Sequence, residues 1–166
     1  LKEIVAENGD VLERRHIDFS SVTSPAKAFL ITSLLEGVIE RGTAKGLKRL
    51  GIDFRCAGET GTTSEFRDSW FVGYTTDLLA LVWVGYDDNS PTGLTGAQGA
   101  AIIWARFMNL MRPWIQPQEF DAPPGIVEEM ICQDSGQLAT AQCKERKLED
   151  FLSEVRPNGY CTIHNR

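Results

Sequence analysis

Three strand-like runs, at roughly 55–63, 68–75 and 78–86, follow one another with only a few residues between them. That spacing constrains the fold more than any other feature of the chain. A parallel crossover needs a dozen or more residues, so connections this short demand antiparallel neighbours. The third run, Leu78-Leu79-Ala80-Leu81-Val82-Trp83-Val84, is almost wholly apolar and predicts a strand covered on both faces. Upstream, Ser24-Pro25 has the form of a helix N-cap followed by proline at the first helical position. Ile31, Leu34, Leu35 and Val38 then recur at helical spacing, with Arg41 near the end and Gly42 as the stop. Downstream, the Gly- and Pro-rich loop Asn89 to Gly96 leads into a second apolar helix, Ala97 to Arg112. Its small residues (Ala97, Gly99, Ala100, Ala101) permit close approach to a sheet, while Ile103, Trp104, Phe107 and Met111 supply bulk. Helices laid on an antiparallel sheet make an α+β fold.

At the start, Leu1 to Ala6 and Val11 to Arg15 flank Glu7-Asn8-Gly9-Asp10, and Asn-Gly between alternating segments is a strong hairpin signal. His16 reads as an ordinary strand-end residue. A chain that opens inside a strand, with no methionine, is expected to be a piece of something larger. Pro113, Pro117, Pro123 and Pro124 break regular structure, which divides the chain into a helix-on-sheet body, 1–112, and an irregular Pro- and Cys-containing extension, 113–166. Trp70, Phe71, Trp83 and Trp104 are the expected core between sheet and second helix. A net charge of −6 with no basic run argues against nucleic acid and against an anionic membrane surface. No apolar run approaches the ~20 residues that span a bilayer.

The stretch Cys56-Ala57-Gly58-Glu59-Thr60-Gly61-Thr62-Thr63 resembles the Lys-Thr-Gly-Thr strand of the penicillin-binding transpeptidases, with Glu59 where the lysine belongs. Three further segments in the same order strengthen the likeness: Ser24 to Ala44, Asp68-Ser69-Trp70-Phe71-Val72-Gly73-Tyr74, and Trp83-Val84-Gly85-Tyr86-Asp87-Asp88. Asp134-Ser135-Gly136-Gln137-Leu138-Ala139 and Pro157…Cys161…His164 are similar to the ends of some members. The chain thus resembles the last part of the transpeptidase domain of class A, bifunctional penicillin-binding proteins. The resemblance implies a partial serine β-lactamase/transpeptidase-like fold, an antiparallel sheet packed by a long C-terminal helix. It implies peptidoglycan stem peptides and β-lactams as ligands of the intact parent, no cofactor, and a parent at the periplasmic face of the inner membrane.

In this family three motifs carry a serine acyl-transfer reaction, and only the third is present. Carried over, Thr60, Gly61 and Thr62 match the substrate-binding wall, and the Thr62 N–H is the candidate oxyanion donor. Glu59 inverts the charge: at ~4 Å and an effective dielectric near 20, a like-charge pair costs about 4 kcal/mol where the lysine would gain as much. Ser24-Pro25-Ala26-Lys27 fits Ser-x-x-Lys, but it lies only some thirty residues before Glu59, and the helix-cap reading is preferred. No Ser-x-Asn or Tyr-x-Asn occurs in the chain. No catalytic set is complete, so the chain alone is expected to be inert. A catalytically dead relative that serves as a peptidoglycan-binding or scaffolding module is the alternative. Arg67 and Asp68 read as turn residues.

Cys132, Cys143, Cys161 and His164 form a C-x10-C-x17-C-x2-H series. Three thiols and an imidazole suit zinc, but there is no C-x2-C knuckle, and the implied compartment favours oxidation. The expectation is therefore a disulfide in place of a metal site, with Cys143–Cys161 favoured because both lie in the tail that most needs a staple; free thiols remain open. Cys56 is expected to be a small buried hydrophobe.

Overall fold

The computed structural model describes residues 3–14 and 20–164. Leu1, Arg15 and His16 lie outside the described residues. The Asn-Gly hairpin forms between β1 (Glu3–Val5) and β2 (Val11–Arg14), with a register shift between Ile4 and Val5. Its turn needs Gly9 at φ 88°, a conformation that costs glycine nothing. Ala6 N–H donates to Asp10 O at 2.8 Å across the turn.

Helix α1 (Pro25–Glu40) starts where the Ser-Pro pair predicts. Ser24 Oγ accepts from Lys27 N–H at 3.4 Å, so it serves as the N-cap, with proline at the first turn. At the other end Gly42 stops the helix by close approach. Its N–H donates to Gly37 O at 3.0 Å, and a Cβ there would sit 2.8 Å from Val38 Cα. Only part of the predicted apolar face is covered: Ile39 and Glu36 are buried, whereas Ile31 and Leu34 are exposed.

The central sheet comprises β3 (Ala57–Thr62), β4 (Ser69–Tyr74) and β5 (Leu79–Val84), in that order and antiparallel throughout. Register pairs Thr60 with Phe71 and Phe71 with Val82, so strand alternation sends these three to one face. Helix α2 (Ala100–Met111) lies on that face. Phe71 and Trp104 are fully buried and meet edge to face with centroids 5.2 Å apart. Trp104 Nε1 donates to Gly73 O at 3.2 Å, and a Cβ on Gly73 would lie 2.7 Å from the indole. Glycine at 73 is what lets the indole lie on the strand. Ile39, Leu47, Ile52 and Met108 complete this core.

Three sequence expectations need correction. Trp70 and Trp83 do not join the core; they pair on the opposite face, 6.0 Å apart, and Trp83 is 44% exposed. The apolar run of β5 is not covered on both sides: Leu79 is 63% and Leu81 55% exposed while Ala80, Val82 and Val84 pack inward. The second helix covers Ala100–Met111, 12 residues, and not the full span Ala97 to Arg112 read from the sequence. It begins late because Ser69 Oγ accepts from Ala100 N–H at 2.9 Å and donates to Thr95 O at 2.9 Å, holding residues 95–99 as a turn.

The region after α2 contains regular structure that its prolines hide. β6 (Ile126–Cys132) and β7 (Arg146–Leu152) form an antiparallel hairpin. The linker is pinned to the β4–β5 turn, with Gln116 N–H on Asp77 Oδ2 at 2.7 Å and Gln118 N–H on Thr76 Oγ1 at 3.0 Å. Ser33 of α1 donates to Asp150 of β7 at 2.6 Å.

Candidate functional site

Strand β3 is an outer strand of its sheet, and its C-terminal half is accessible from Glu59 to Thr62. Thr63 N–H donates to Asp68 O across the pair. Antiparallel alternation then turns the Glu59 and Gly61 N–H groups toward β4 and the Thr60 and Thr62 N–H groups to the outer edge. The Thr60 N–H is already taken: Glu59 Oε1 accepts from it at 2.7 Å and from the Thr60 hydroxyl at 3.2 Å. Thr60 Oγ1 also lies 3.1 Å from Thr43 Oγ1. Glu59 has no cationic partner among the described residues. Thr62 Oγ1 accepts from Gly96 N–H at 2.9 Å, which leaves its proton free for a ligand.

The loop after β3 is braced from both sides. Asp68 N–H donates to Thr63 Oγ1 at 2.8 Å, the Thr63 hydroxyl returns to Asp68 Oδ2 at 2.9 Å, and Trp83 Nε1 donates to Asp68 Oδ1 at 2.9 Å. Asp68 is thus the turn residue expected, whereas Arg67 turns away to Asn89 O and Glu65. Glu65 and Phe66 hold φ of 60° and 54°, a costly conformation for side-chain-bearing residues. Thr92 offsets that strain, its N–H and hydroxyl each donating to Phe66 O at 2.8 Å. Gly96 comes so close to β3 and β4 that a Cβ would lie 2.6 Å from Trp70 O. Sequence reasoning missed the braces from Thr92 and Gly96, which are read only once the 89–96 loop is seen folded back.

The tail holds a second cluster. Cys132, Cys143, Cys161 and His164 bring their ligand atoms within 4.8 Å of one another. His164 Nδ1 lies 3.5 Å from Cys132 Sγ and 3.3 Å from Cys161 Sγ. Thr140 N–H points at Cys143 Sγ at 3.3 Å, and His164 Nε2 lies 3.4 Å from Asp134 Oδ2. The sulfurs of Cys143 and Cys161, the pair favoured for a disulfide from the sequence, are unbridged here. The two sulfurs face a common centre with the imidazole and the third thiol. The Ser135 hydroxyl, and after it the backbone and side chain of His164, hold the Cys161 thiol down at about 6 against the opposing effect of burial. Burial pushes the Cys56 thiol up to about 12, and Cys56 is the buried hydrophobe expected. Asp134 was not foreseen as a histidine partner; its place in the Asp134-Ser135-Gly136 turn is the only local signal.

Comparison with known proteins places this geometry. A family model for the C-terminal domain of penicillin-binding protein 1A matches residues 122–166. Penicillin-binding protein 1A of Aquifex aeolicus is 35% identical over 99% of this chain and 23% of its own length. That of Clostridium tetani is 29% identical over 98% of this chain and 22% of its own. The crystal structure of penicillin-binding protein 1A from Haemophilus influenzae superposes with a TM-score of 0.76 at 28% identity, covering 84% of this chain and 22% of that one. The chain belongs to the class A penicillin-binding proteins. It corresponds to a C-terminal part and spans less than a quarter of the length of these relatives. Among the described residues no helix is long and apolar enough to cross a membrane.

Proposed function

We propose that this chain supplies one wall of a peptidoglycan D,D-transpeptidase site, the other walls and the nucleophile being contributed by sequence it does not contain. The observation that carries this reading is the accessible outer edge of β3, where Thr60, Gly61 and Thr62 present a hydroxyl, a bare backbone and an outward N–H in succession. An acyl donor laid along that edge would meet the Thr62 hydroxyl with its carboxylate. Its carbonyl oxygen, becoming negative as a serine attacks, would meet the Thr62 N–H. Residues 1–112 are the transpeptidase part, and 113–166 are an appended extension. The whole protein would act on stem peptides, be trapped by β-lactams and work at the periplasmic face of the inner membrane.

The chain alone carries no nucleophile for this reaction. Ser24 Oγ accepts from the Lys27 backbone N–H at 3.4 Å as the N-cap of α1, a structural role. A fluorescent penicillin should leave the isolated chain unlabelled, and covalent labelling at Ser24 would overturn the reading.

One observation favours a second reading, a binding module without catalysis. The Glu59 carboxylate occupies the Thr60 N–H and hydroxyl, groups that a substrate carboxylate would otherwise use. Like-charge repulsion of about 4 kcal/mol at ~4 Å and an effective dielectric near 20 opposes a second carboxylate there. Glu59→Lys in the full-length protein should raise penicillin acylation if the site is otherwise complete. Unchanged, near-zero acylation would favour the binding module.

A further inference from the structure

The second cluster lies in the tail, away from the transpeptidase strand. We propose that Cys132, Cys143, Cys161 and His164 are the four ligands of a structural zinc ion that holds the C-terminal tail folded. Tetrahedral zinc with Zn–S near 2.3 Å and Zn–N near 2.0 Å places sulfur and nitrogen about 3.5 Å apart. The observed separations from His164 Nδ1 are 3.5 Å to Cys132 and 3.3 Å to Cys161. One Nδ1 at this distance from two sulfurs is the arrangement that ligands of a shared centre take up. All four ligand atoms fall within 4.8 Å of one another, while no pair has closed to the ~2.05 Å of a disulfide.

The surroundings have the form of a supporting shell. Asp134 Oδ2 lies 3.4 Å from His164 Nε2, which keeps the proton on Nε2 and leaves the Nδ1 lone pair for the metal. The Thr140 N–H, 3.3 Å from Cys143 Sγ, steadies a thiolate. Binding displaces the three thiol protons to solvent and forms three Zn–S bonds and one Zn–N bond, with no change of oxidation state.

Packing gives the tail a reason to need the ion. Cys132, Cys143 and Cys161 are the buried residues of its own cluster, and among the described hydrophobic residues only Ala139 is packed against them. The ligands come from three separate places: the end of β6, the turn at residues 140–143, and the last segment, where Cys161 N–H donates to Leu138 O at 2.8 Å. Segments of this size rarely stay folded without a cross-link or a metal.

The test uses the 166-residue chain, isolated under reducing conditions, given zinc and desalted. Mass spectrometric metal analysis should find about one zinc per chain, and cobalt(II) in its place should give the intense absorption of a tetrahedral thiolate site. Asp134→Asn, at a half-exposed carboxylate, should weaken zinc binding about 10–100-fold. His164→Cys should retain the metal, and His164→Ala should lose it. Folded protein that takes up no zinc would overturn the proposal. So would a Cys143–Cys161 disulfide in protein taken from its native compartment, or full zinc retention in Cys132→Ser. None of these readouts depends on transpeptidase activity, so the proposal stands or falls apart from the function proposed above.

Discussion

In the body an indole and a phenyl ring pack edge to face under a helix, and eight or more apolar side chains close around them. In the tail the buried cluster consists of three cysteines and one alanine at its margin. The two regions sit on one chain and share hydrogen bonds, yet they exclude water by different means. Burial of large side chains contributes about 1.5–3 kcal/mol each, and burial of this kind holds the body together. Three thiols bury too little for that, so the tail depends on bonds drawn to one point. The lesson is that a hydrophobic core and a polar cross-link substitute for one another according to how much apolar surface a segment offers.

The sharpest way to break this comparison is at the centre of the body. Trp104→Ala should cost about 3–5 kcal/mol, read as a lower urea midpoint at unchanged m. A loss below 1 kcal/mol would show that the indole is not what organises the body. Ser69→Ala comes next. Ser69 is fully buried and serves both Ala100 N–H and Thr95 O, so its removal should cost about 1–3 kcal/mol and fray the start of α2 in hydrogen exchange. Protection of Ala100 equal to that of the parent would argue that another group caps the helix. Ser24→Ala removes an exposed N-cap and should cost about 1 kcal/mol of stability.

The smallest effect sharpens the boundary between the two regions. Glu36 is buried on α1, its carboxylate 2.9 Å from Arg55 Nε, and Glu119 of the linker also reaches Arg55, at 2.7 Å. Burial lifts the Glu36 carboxyl above its ordinary 4.5, and the Arg55 guanidinium only partly reverses this. The folded state therefore holds that proton more tightly than the unfolded chain does. Its contribution to stability is complete below about pH 4.5 and is lost as pH rises through the folded value. Glu36→Gln should flatten the dependence of Tm on pH above that point. Identical slopes in parent and variant would assign the pH dependence to other groups.

Much of the body was legible because local signals agreed with tertiary packing. Ser24-Pro25, Asn8-Gly9 and the short connections between the three strands each prescribe a backbone conformation that nothing later opposes. Trp83 and Leu34 misled for one reason: an apolar residue at the right period says that a face wants cover, and cannot say whether cover is present. The tail misled differently. Prolines at 117, 123 and 124 end before β6 begins, so the breakers lie in the linker and the hairpin after them is regular. The wall Thr60-Gly61-Thr62 was legible as a motif. The capture of the Thr60 N–H by Glu59 was not, because it depends on where one carboxylate turns at a strand edge.

By itself the sequence determined the family, the antiparallel order of the sheet and the start of α1. Each of these rests on residue identity or on spacing within a short stretch of chain. Only the tertiary structure decided which tryptophans are core, which face of β5 is covered, and that Cys132, Cys143, Cys161 and His164 converge instead of pairing off. Those outcomes depend on distances between residues far apart in the chain. Spacing along the backbone leaves such distances open until the hairpin and the final segment have folded together.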